Sequence, residues 1–554
     1  MAAWAGRRLR RLAVVPSRLV ALFNMTPAER LLIAPQDIRT ADPGIAAEIY
    51  SGYFAFAGRI VNARGRSPFE VDSGSPEWQR ALAGFSWLRH LRAANTALAR
   101  ANARALVDDF LSGVGTAKEA GAWDLRVVVR RTLSFLAQSP LILEGTDAEF
   151  YRRFMRGLAR SQHFLEHQLS AGLAGDGRLW AAIALAELGL CTKASAKYQR
   201  WSTRLLAEEL EAQILPDGGH ISRNPQILID LLLDLLPLRQ AYAARAVSAP
   251  APLLNAIDRI LPMLRLLRHG DGTLALFNGM GVTAPDLLAT VLAYDDVRAK
   301  ALNNAPHSGY VRVEAEDAVL IVDAGRPPPA VFSGQAHAGC LAFEFSVGQQ
   351  RLVVNCGAPD AMRRNARDAA RLTAAHSTLV VADTSSCRFA GQSGLEKLLE
   401  GQILSGPQVV ETARGDRPES SVLSLSHDGY LSSYGLVHER RLELEALGRG
   451  LSGRDRLTPA ASRRKFAPAD FALRFHVHPS VVMQLVDDGR AVVLQLPDDT
   501  AWVFEAQGLR IDIEESIFFA ALDGPHACGQ IVVYGRSDEI DDIGWSLRAL
   551  DDEA

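Results

Sequence analysis

The sequence predicts an all-α domain followed by an all-β domain, the second an antiparallel β-sandwich. Two observations carry this. Residues from about 77 to about 300 place apolar side chains three and four positions apart almost without interruption, the spacing of one helix face. From about residue 306 the pattern changes to short runs in which apolar and polar residues alternate, the spacing of half-buried strands.

Within the helical half, WQRALAGFSWLRHLRAANTALARANARALVDDFL and YQRWSTRLLAEELEAQIL are the clearest helical stretches. The breaks are short: SPLIL near Ser139, AGDG at Ala174–Gly177, LPDGG at Leu215–Gly219 and HGDG at His269–Gly272. Helices joined by such loops pair as antiparallel hairpins, which stack into a bundle or an α/α toroid. The strand half begins with HSGYVRVEAEDAVLIVDAG. It continues through LAFEFSV, RLVVNC, STLVVAD, RLELEAL, FALRFHVHP, AVVLQL, AWVFEA, LRIDIEES and QIVVYG. Turn residues part these runs at sandwich intervals. The predicted boundaries are a basic amphipathic segment over 1–30, an all-α domain over 31–302 and a β-sandwich over 303–554.

A chain of 554 residues exceeds one ordinary core, in keeping with at least two domains. Its 60 basic and 63 acidic residues give a net charge of −3, which supplies no electrostatic reason to bind nucleic acid. Five cysteines are too few, and odd in number, for a disulfide framework. No uninterrupted apolar run is long enough for a membrane span. Arg7, Arg8, Arg10 and Arg11 precede LAVVPSRLVALF, but Pro16, Ser17 and Arg18 break that run and no A-x-A cleavage signal follows. The segment reads as a basic amphipathic helix lying on the protein or on a membrane surface. No Walker loop, dinucleotide fingerprint or nucleophile elbow is present, so nucleotide-dependent chemistry is not expected.

The two-domain order, together with AHAGCLAFEF, VNCG, AAHSTLVV, HDGY and the loop PDGGHISRNP, resembles the heparinase II/III-like polysaccharide lyases. The resemblance implies an α/α toroid joined to the sandwich and β-elimination beside a uronic acid. That reaction needs a donor that neutralises the carboxylate, a base for the neighbouring C–H and an acid for the leaving oxygen. It further implies an acidic polysaccharide as substrate, a cell-envelope or periplasmic location and one structural zinc; the alternatives are a catalytically inert glycan- or partner-binding member of the same fold and, without a clear signal peptide, a cytoplasmic location. The family's His-x-His-Ala-Asp motif falls on Gln335, His337 and Gly339, and its zinc ligands on His337, Asn355 and His376. The positions of its Tyr-His pair carry Ile227 and Leu228.

On this basis the candidate catalytic residues are His220 for proton transfer, Arg223 and Asn224 for carboxylate neutralisation, and Gln335 on the sandwich side. Arg223 has the fork to clamp a carboxylate bidentately. Each also has a structural reading: Asp217-Gly218-Gly219 ends a helix, and Asn224 before Pro225 caps the next. Trp87, His90, Asn278 and Tyr430 are the candidate substrate contacts, although Trp87 and Leu91 at helical spacing also fit a core. His337 and His376 read either as metal ligands with Asn355 or as histidines satisfied by hydrogen bonds. His427, Tyr434 and His438 offer further imidazole and hydroxyl groups.

Overall fold

A computed structural model describes residues 30–113, 121–294, 301–360, 363–391, 394, 396–399, 401–459, 468–540 and 542–550. The basic segment expected over residues 1–30 lies, but for Arg30, outside the described residues. The chain forms two compact units, one of residues 1–213 with 231–257, the other of 214–230 with 258–554. This division differs from a boundary near residue 303. The loop after Gln213 and the residues from 258 onward group with the sandwich, and the polar contacts of Asp217 and Arg223 given below show why.

The first unit is helical: α1 (Pro43–Tyr50), α2 (Pro76–Gly84), α3 (Leu88–Ala94), α4 (Ala97–Ser112), α5 (Leu125–Ala137), α6 (Ser139–Leu143), α7 (Ala148–Ser170), α8 (Gly177–Cys191) and α9 (Ala196–Gln213). Helix α10 (Pro225–Ala244) adds its residues from Leu231 onward, and α11 (Ala251–Leu266) its residues up to Ile257. Every residue of α8 except Arg178 is buried, since a helix apolar on all sides has no face to give to water. The stretch from Trp78 to Leu111 is three helices rather than one. Phe85 (φ 56°) and Asn95 (φ 47°) adopt left-handed conformations that end α2 and α3, and the Thr96 side chain then caps α4 by accepting from Ala99 N. A small antiparallel hairpin, β1 (Tyr53–Phe56) with β2 (Arg59–Asn62), also belongs to this unit.

The second unit holds α12 (Pro285–Leu292) and the strands β3 (Asn304–Ala305), β4 (Tyr310–Ala315), β5 (Ala318–Asp323), β6 (Phe343–Val347), β7 (Gln350–Val354), β8 (Leu379–Val381), β9 (Arg388–Phe389) and β10 (Ile403–Ser405). The remaining strands are β11 (Val410–Asp416), β12 (Ser420–His427), β13 (Leu436–Glu445), β14 (Gly450–Pro459), β15 (Asp470–Val477), β16 (Val482–Val486), β17 (Ala491–Gln495), β18 (Ala501–Ala506), β19 (Ile511–Phe518), β20 (His526–Arg536) and β21 (Asp542–Ala549). One sheet runs β11-β12-β13-β14-β21-β18-β17-β16; the other runs β19-β20-β15-β7-β6-β5-β4-β3, with β8 also pairing β15. Their inner faces meet through aromatic rings. Phe343 stacks on Trp545 at 5.6 Å, Phe475 meets Trp545 edge-on at 4.8 Å, and Phe345 meets Trp502 at 5.6 Å. Gly453, directly opposite Trp545, leaves the room that the indole needs, since a Cβ there would stand 2.0 Å from the ring.

Candidate functional site

The loop before α10 is shaped by its own backbone and by the first strands of the sandwich. Leu215 N donates to Gly219 O at 2.8 Å, and Ile214 and His220 form an isolated bridge that closes the turn. Gly218 (φ 88°) is obligatory, because a Cβ would lie 2.0 Å from Arg259 O. Asp217 does more than end a helix. Its carboxylate accepts from His307 N, Ser308 N and Ser308 Oγ at 2.6–2.7 Å, which fastens the loop to the approach to β4.

Arg223 (φ 64°) turns inward from this loop. Its Nε donates to Ser308 O at 2.6 Å, Nη1 to Gly325 O and Arg326 O at 3.2 and 3.1 Å, and Nη2 to Gly309 O at 3.1 Å and Asp323 Oδ1 at 2.5 Å. Asp323 ends β5 opposite Tyr310 and also accepts from Asn278 Nδ2 at 2.9 Å. Tyr310 donates its hydroxyl hydrogen to Arg223 O and accepts from Asn278 Nδ2. Arg223 and Asp323 are 7% and 3% exposed, so the pair is buried as well as fully bonded. Its guanidinium therefore has no free edge for a substrate carboxylate, which corrects the expectation that Arg223 neutralises one.

The other residues of this group fall into line along the same network. Asn224 caps α10, accepting from Gln226 N at 2.9 Å, while its Nδ2 donates to Gln335 Oε1 at 3.0 Å. Gln335 is exposed. His337 N donates to Asn278 Oδ1 at 3.3 Å, and the ring Nδ1 lies 3.0 Å from His376 Nε2. His220 is 1% exposed, with Nδ1 against Ser222 N and Oγ at 3.1 and 2.7 Å. The sequence candidates Arg223, Asn224, Asn278, Gln335, His337 and His376 thus form one connected set. Gln335 is the member that meets solvent. Ser308, Tyr310 and Asp323 complete it without having been singled out. The available signal was an Asp ending the otherwise apolar strand AVLIVD, across a hairpin from Tyr310.

Four candidates lie elsewhere. Trp87 and His90 belong to the helical unit. Trp87 is 2% exposed and donates to Leu82 O at 2.9 Å, and His90 accepts from Asp42 N at 2.9 Å. Burial, aided by Arg89, lowers the His90 pKa to about 4, so it stays neutral. Tyr430 sits in the sandwich core, 1% exposed, and donates to Leu379 O at 2.8 Å. Trp87 and Tyr430 thus have their polar hydrogens engaged by carbonyls of the core. Asn355 has both ends of its carboxamide engaged: its Nδ2 donates to Glu344 Oε1 at 3.1 Å and its Oδ1 accepts from Ser377 N at 2.9 Å. His427 and His438 are also core residues, joined to each other at 3.3 Å and through His438 to Asp455 at 2.7 Å.

The histidine pair bears on the expected zinc site. His376 Nδ1 lies 2.8 Å from Leu372 O, which accepts only from N–H, so Nε2 is bare and accepts from His337 Nδ1–H. A hydrogen bond thus occupies the space between the rings. Where the family's motif has its Asp, a Cβ on Gly339 would already lie 2.7 Å from the His376 ring. Among the described residues no three His, Cys, Asp or Glu side chains are grouped to hold a metal ion. Structural zinc takes four such ligands, and a carboxamide already bonded on both sides is a poor substitute. The donors here do not fit zinc. Accordingly, chelator treatment is expected to leave the melting temperature unchanged and elemental analysis to give well under one zinc per chain; a stoichiometric metal or a chelator-induced fall in melting temperature would refute this.

Comparison with known proteins places the fold. The family model described as "Heparinase II/III-like, C-terminal" matches residues 297–546. FtsZ-localized protein C of Caulobacter vibrioides is 33% identical over 533 residues, covering 94% of this chain and 90% of that protein. The chain belongs to the heparinase II/III-like family. Its fold matches heparinase III at a TM-score of 0.70 and 14% identity, over 96% of this chain and 86% of that one. Heparan sulfate lyase HepC from Pedobacter heparinus matches at 0.62 and 14% identity, with the same coverage. This heparinase II/III-like chain therefore pairs the helical toroid with the antiparallel sandwich, as expected. Among its described residues no helix is long and apolar enough to cross a membrane.

Proposed function

We propose that this chain is a non-catalytic member of the heparinase II/III-like family that works by binding, as an envelope-associated protein that localises with FtsZ. The observation that carries the reading is the state of the loop that would do the elimination. Ile227 and Leu228, at the family's Tyr-His positions, are buried in α10 at 6% and 2% exposure and have no proton to exchange. Arg223 is spent on four carbonyls and Asp323. His337 keeps a bare Nε2, but burial, with His376 and Arg371 nearby, drives its pKa well below the usual imidazole value. That makes it a weak base for a C–H bond. The 33% identity to an FtsZ-localized protein over nearly the whole chain supports the cellular setting. The basic segment over 1–30 supplies a means of lying on a membrane surface.

Two measurements test this. Incubation with a panel of uronate polymers is expected to give no absorbance from unsaturated uronic products, whereas co-sedimentation with FtsZ polymers is expected to retain the protein in the pellet. Growth of that chromophore, abolished by Asn224→Ala, would restore the lyase reading for acidic polysaccharides. Failure to co-sediment would remove the proposed partner.

A further inference from the structure

The helical unit contains a polar cleft to which none of the loop residues described above contributes. It is lined by Asp37 and Arg39 of the segment before α1, by Arg130 and Ser134 of α5, by Glu187 of α8, and by Leu233 and Asp234 of α10. The cleft is partly open to solvent, and its enclosed part, about 20 Å³, has room for a group near the size of a water molecule.

Two features of its lining call for a ligand. Asp234, 3% exposed, takes both Nη atoms of Arg130 at 3.1 and 2.6 Å and Arg39 Nη2 at 2.8 Å. Asp37 bonds Arg39 N at 3.2 Å. Two guanidinium groups and two carboxylates thus balance one another. Glu187 is the fifth charge, 3% exposed, and among the described residues its carboxyl has no hydrogen-bond partner. Burial, with Asp234 beside it, pushes its pKa up to about 8, against the pull of Arg130 and Arg39. Asp37 and the Cys191 thiol on its own helix add to its electrostatic surroundings. The second feature is Pro237 inside α10. Lacking an N–H, it cannot bond the Leu233 carbonyl four residues earlier, to which Arg39 Nη1 donates at 3.5 Å. The Ser134 hydroxyl, also buried, has no partner among the described residues.

We propose that this cleft binds a primary ammonium group, with Glu187 as its counter-ion and the Leu233 carbonyl and Ser134 hydroxyl as further acceptors. An ammonium offers three N–H donors, is about the size of a water molecule, and balances the charge of the Glu187 carboxylate once its proton has left. An anion is disfavoured because both guanidinium forks are already turned to Asp234. The ammonium can belong to a small amine or to a lysine side chain entering end-on.

Calorimetric titration of the full chain with n-butylamine, and separately with Nα-acetyl-lysine-N-methylamide, distinguishes these sources. Saturable binding of either is expected. At pH 7 it displaces a proton from Glu187, so the observed heat changes with the ionisation enthalpy of the buffer. Affinity rises up to about tenfold per pH unit toward pH 8. Glu187→Gln, isosteric with the protonated carboxyl and expected to fold normally, loses binding by tenfold or more. Tetramethylammonium, with no N–H, does not bind. Absence of saturable binding by both probes, affinity unchanged in Glu187→Gln, or heats independent of buffer would each overturn the proposal.

Discussion

Arg223→Met is expected to destabilise the sandwich unit by about 3–5 kcal/mol, the cost of leaving a buried charge without its partner. The substitution strands Asp323 and removes the guanidinium donors from Ser308 O, Gly309 O, Gly325 O and Arg326 O, of which Gly309 O keeps Ala324 N. Arg223→Lys is expected to recover little, since an ammonium cannot reproduce a planar fork that reaches five acceptors. Packing adds to the loss. A Cβ on Gly325 would stand 2.4 Å from Arg223 Nη2, so the chain has given up a side chain to admit the guanidinium. Arg223→Met with Asp323→Asn in the same chain is expected to be more stable than Arg223→Met alone, because the stranded charge is gone. Urea denaturation followed by tryptophan fluorescence checks this. A substrate-clamping arginine behaves in the opposite way: its loss leaves the unfolding midpoint unchanged and abolishes uronate binding. That outcome would return Arg223 to the catalytic role.

The same residue shows what was legible beforehand. Its place in a functional loop could be read from PDGGHISRNP, but its partners could not. Asp323 lies 100 residues away, and only the register of β4 and β5 sets it opposite Tyr310. β6, β7, β13, β15 and β17–β20 were found because each is a short apolar or alternating run set between turn residues. Periodicity passed over β11 (VETARGD), whose side chains are nearly all exposed, and β14 (GLSGRDRLTP), where Gly453 yields its inner-face volume to Trp545. The helical stretch from Trp78 to Leu111 divides into three helices for a local reason that its spacing does not show. Apolar spacing continues through Phe85 and Asn95, while the backbone at both takes left-handed angles. Tyr430 and Trp87 were drawn to a glycan site by their chemistry, yet their polar atoms are consumed by carbonyls of the core. Residue type announces which bonds a side chain can make, but not whether the fold has already made them.

The largest pH effect is expected in the sandwich unit, which should lose several kcal/mol of stability between pH 6.5 and pH 5. Burial lowers the pKa values of His269, His337, His376, His427 and His438, and takes His476 to about 3. In the unfolded chain each titrates near 6.5. Below that pH the unfolded state therefore binds protons that the folded state refuses, so stability falls with falling pH, by about 1.4 kcal/mol per pH unit for each histidine still neutral in the fold. Glu344 and Asp455 extend the loss. Buried beside Arg351 and Arg440 respectively, each is held at about 2, so its contribution is present above the ordinary carboxylate range and disappears as pH falls toward 2. Glu187 in the helical unit has the opposite sign. With its pKa raised to about 8, the folded state holds a proton that the unfolded state releases, so its contribution is present at low pH and is lost as pH rises from about 4.5 to 8. Acidification thus weakens one unit while this carboxyl strengthens the other. Melting curves from pH 8 to pH 4 should show the sandwich transition moving steeply downward. In His427→Leu the slope should flatten by about one proton, since that ring accepts from Gly429 N at 2.9 Å and contacts His438 at 3.3 Å but carries no ionic partner of its own. A sandwich transition constant from pH 7.5 to 5 would mean that these histidines are protonated in the fold, and that the hydrogen-bond pattern assigned to His337 and His376 is wrong.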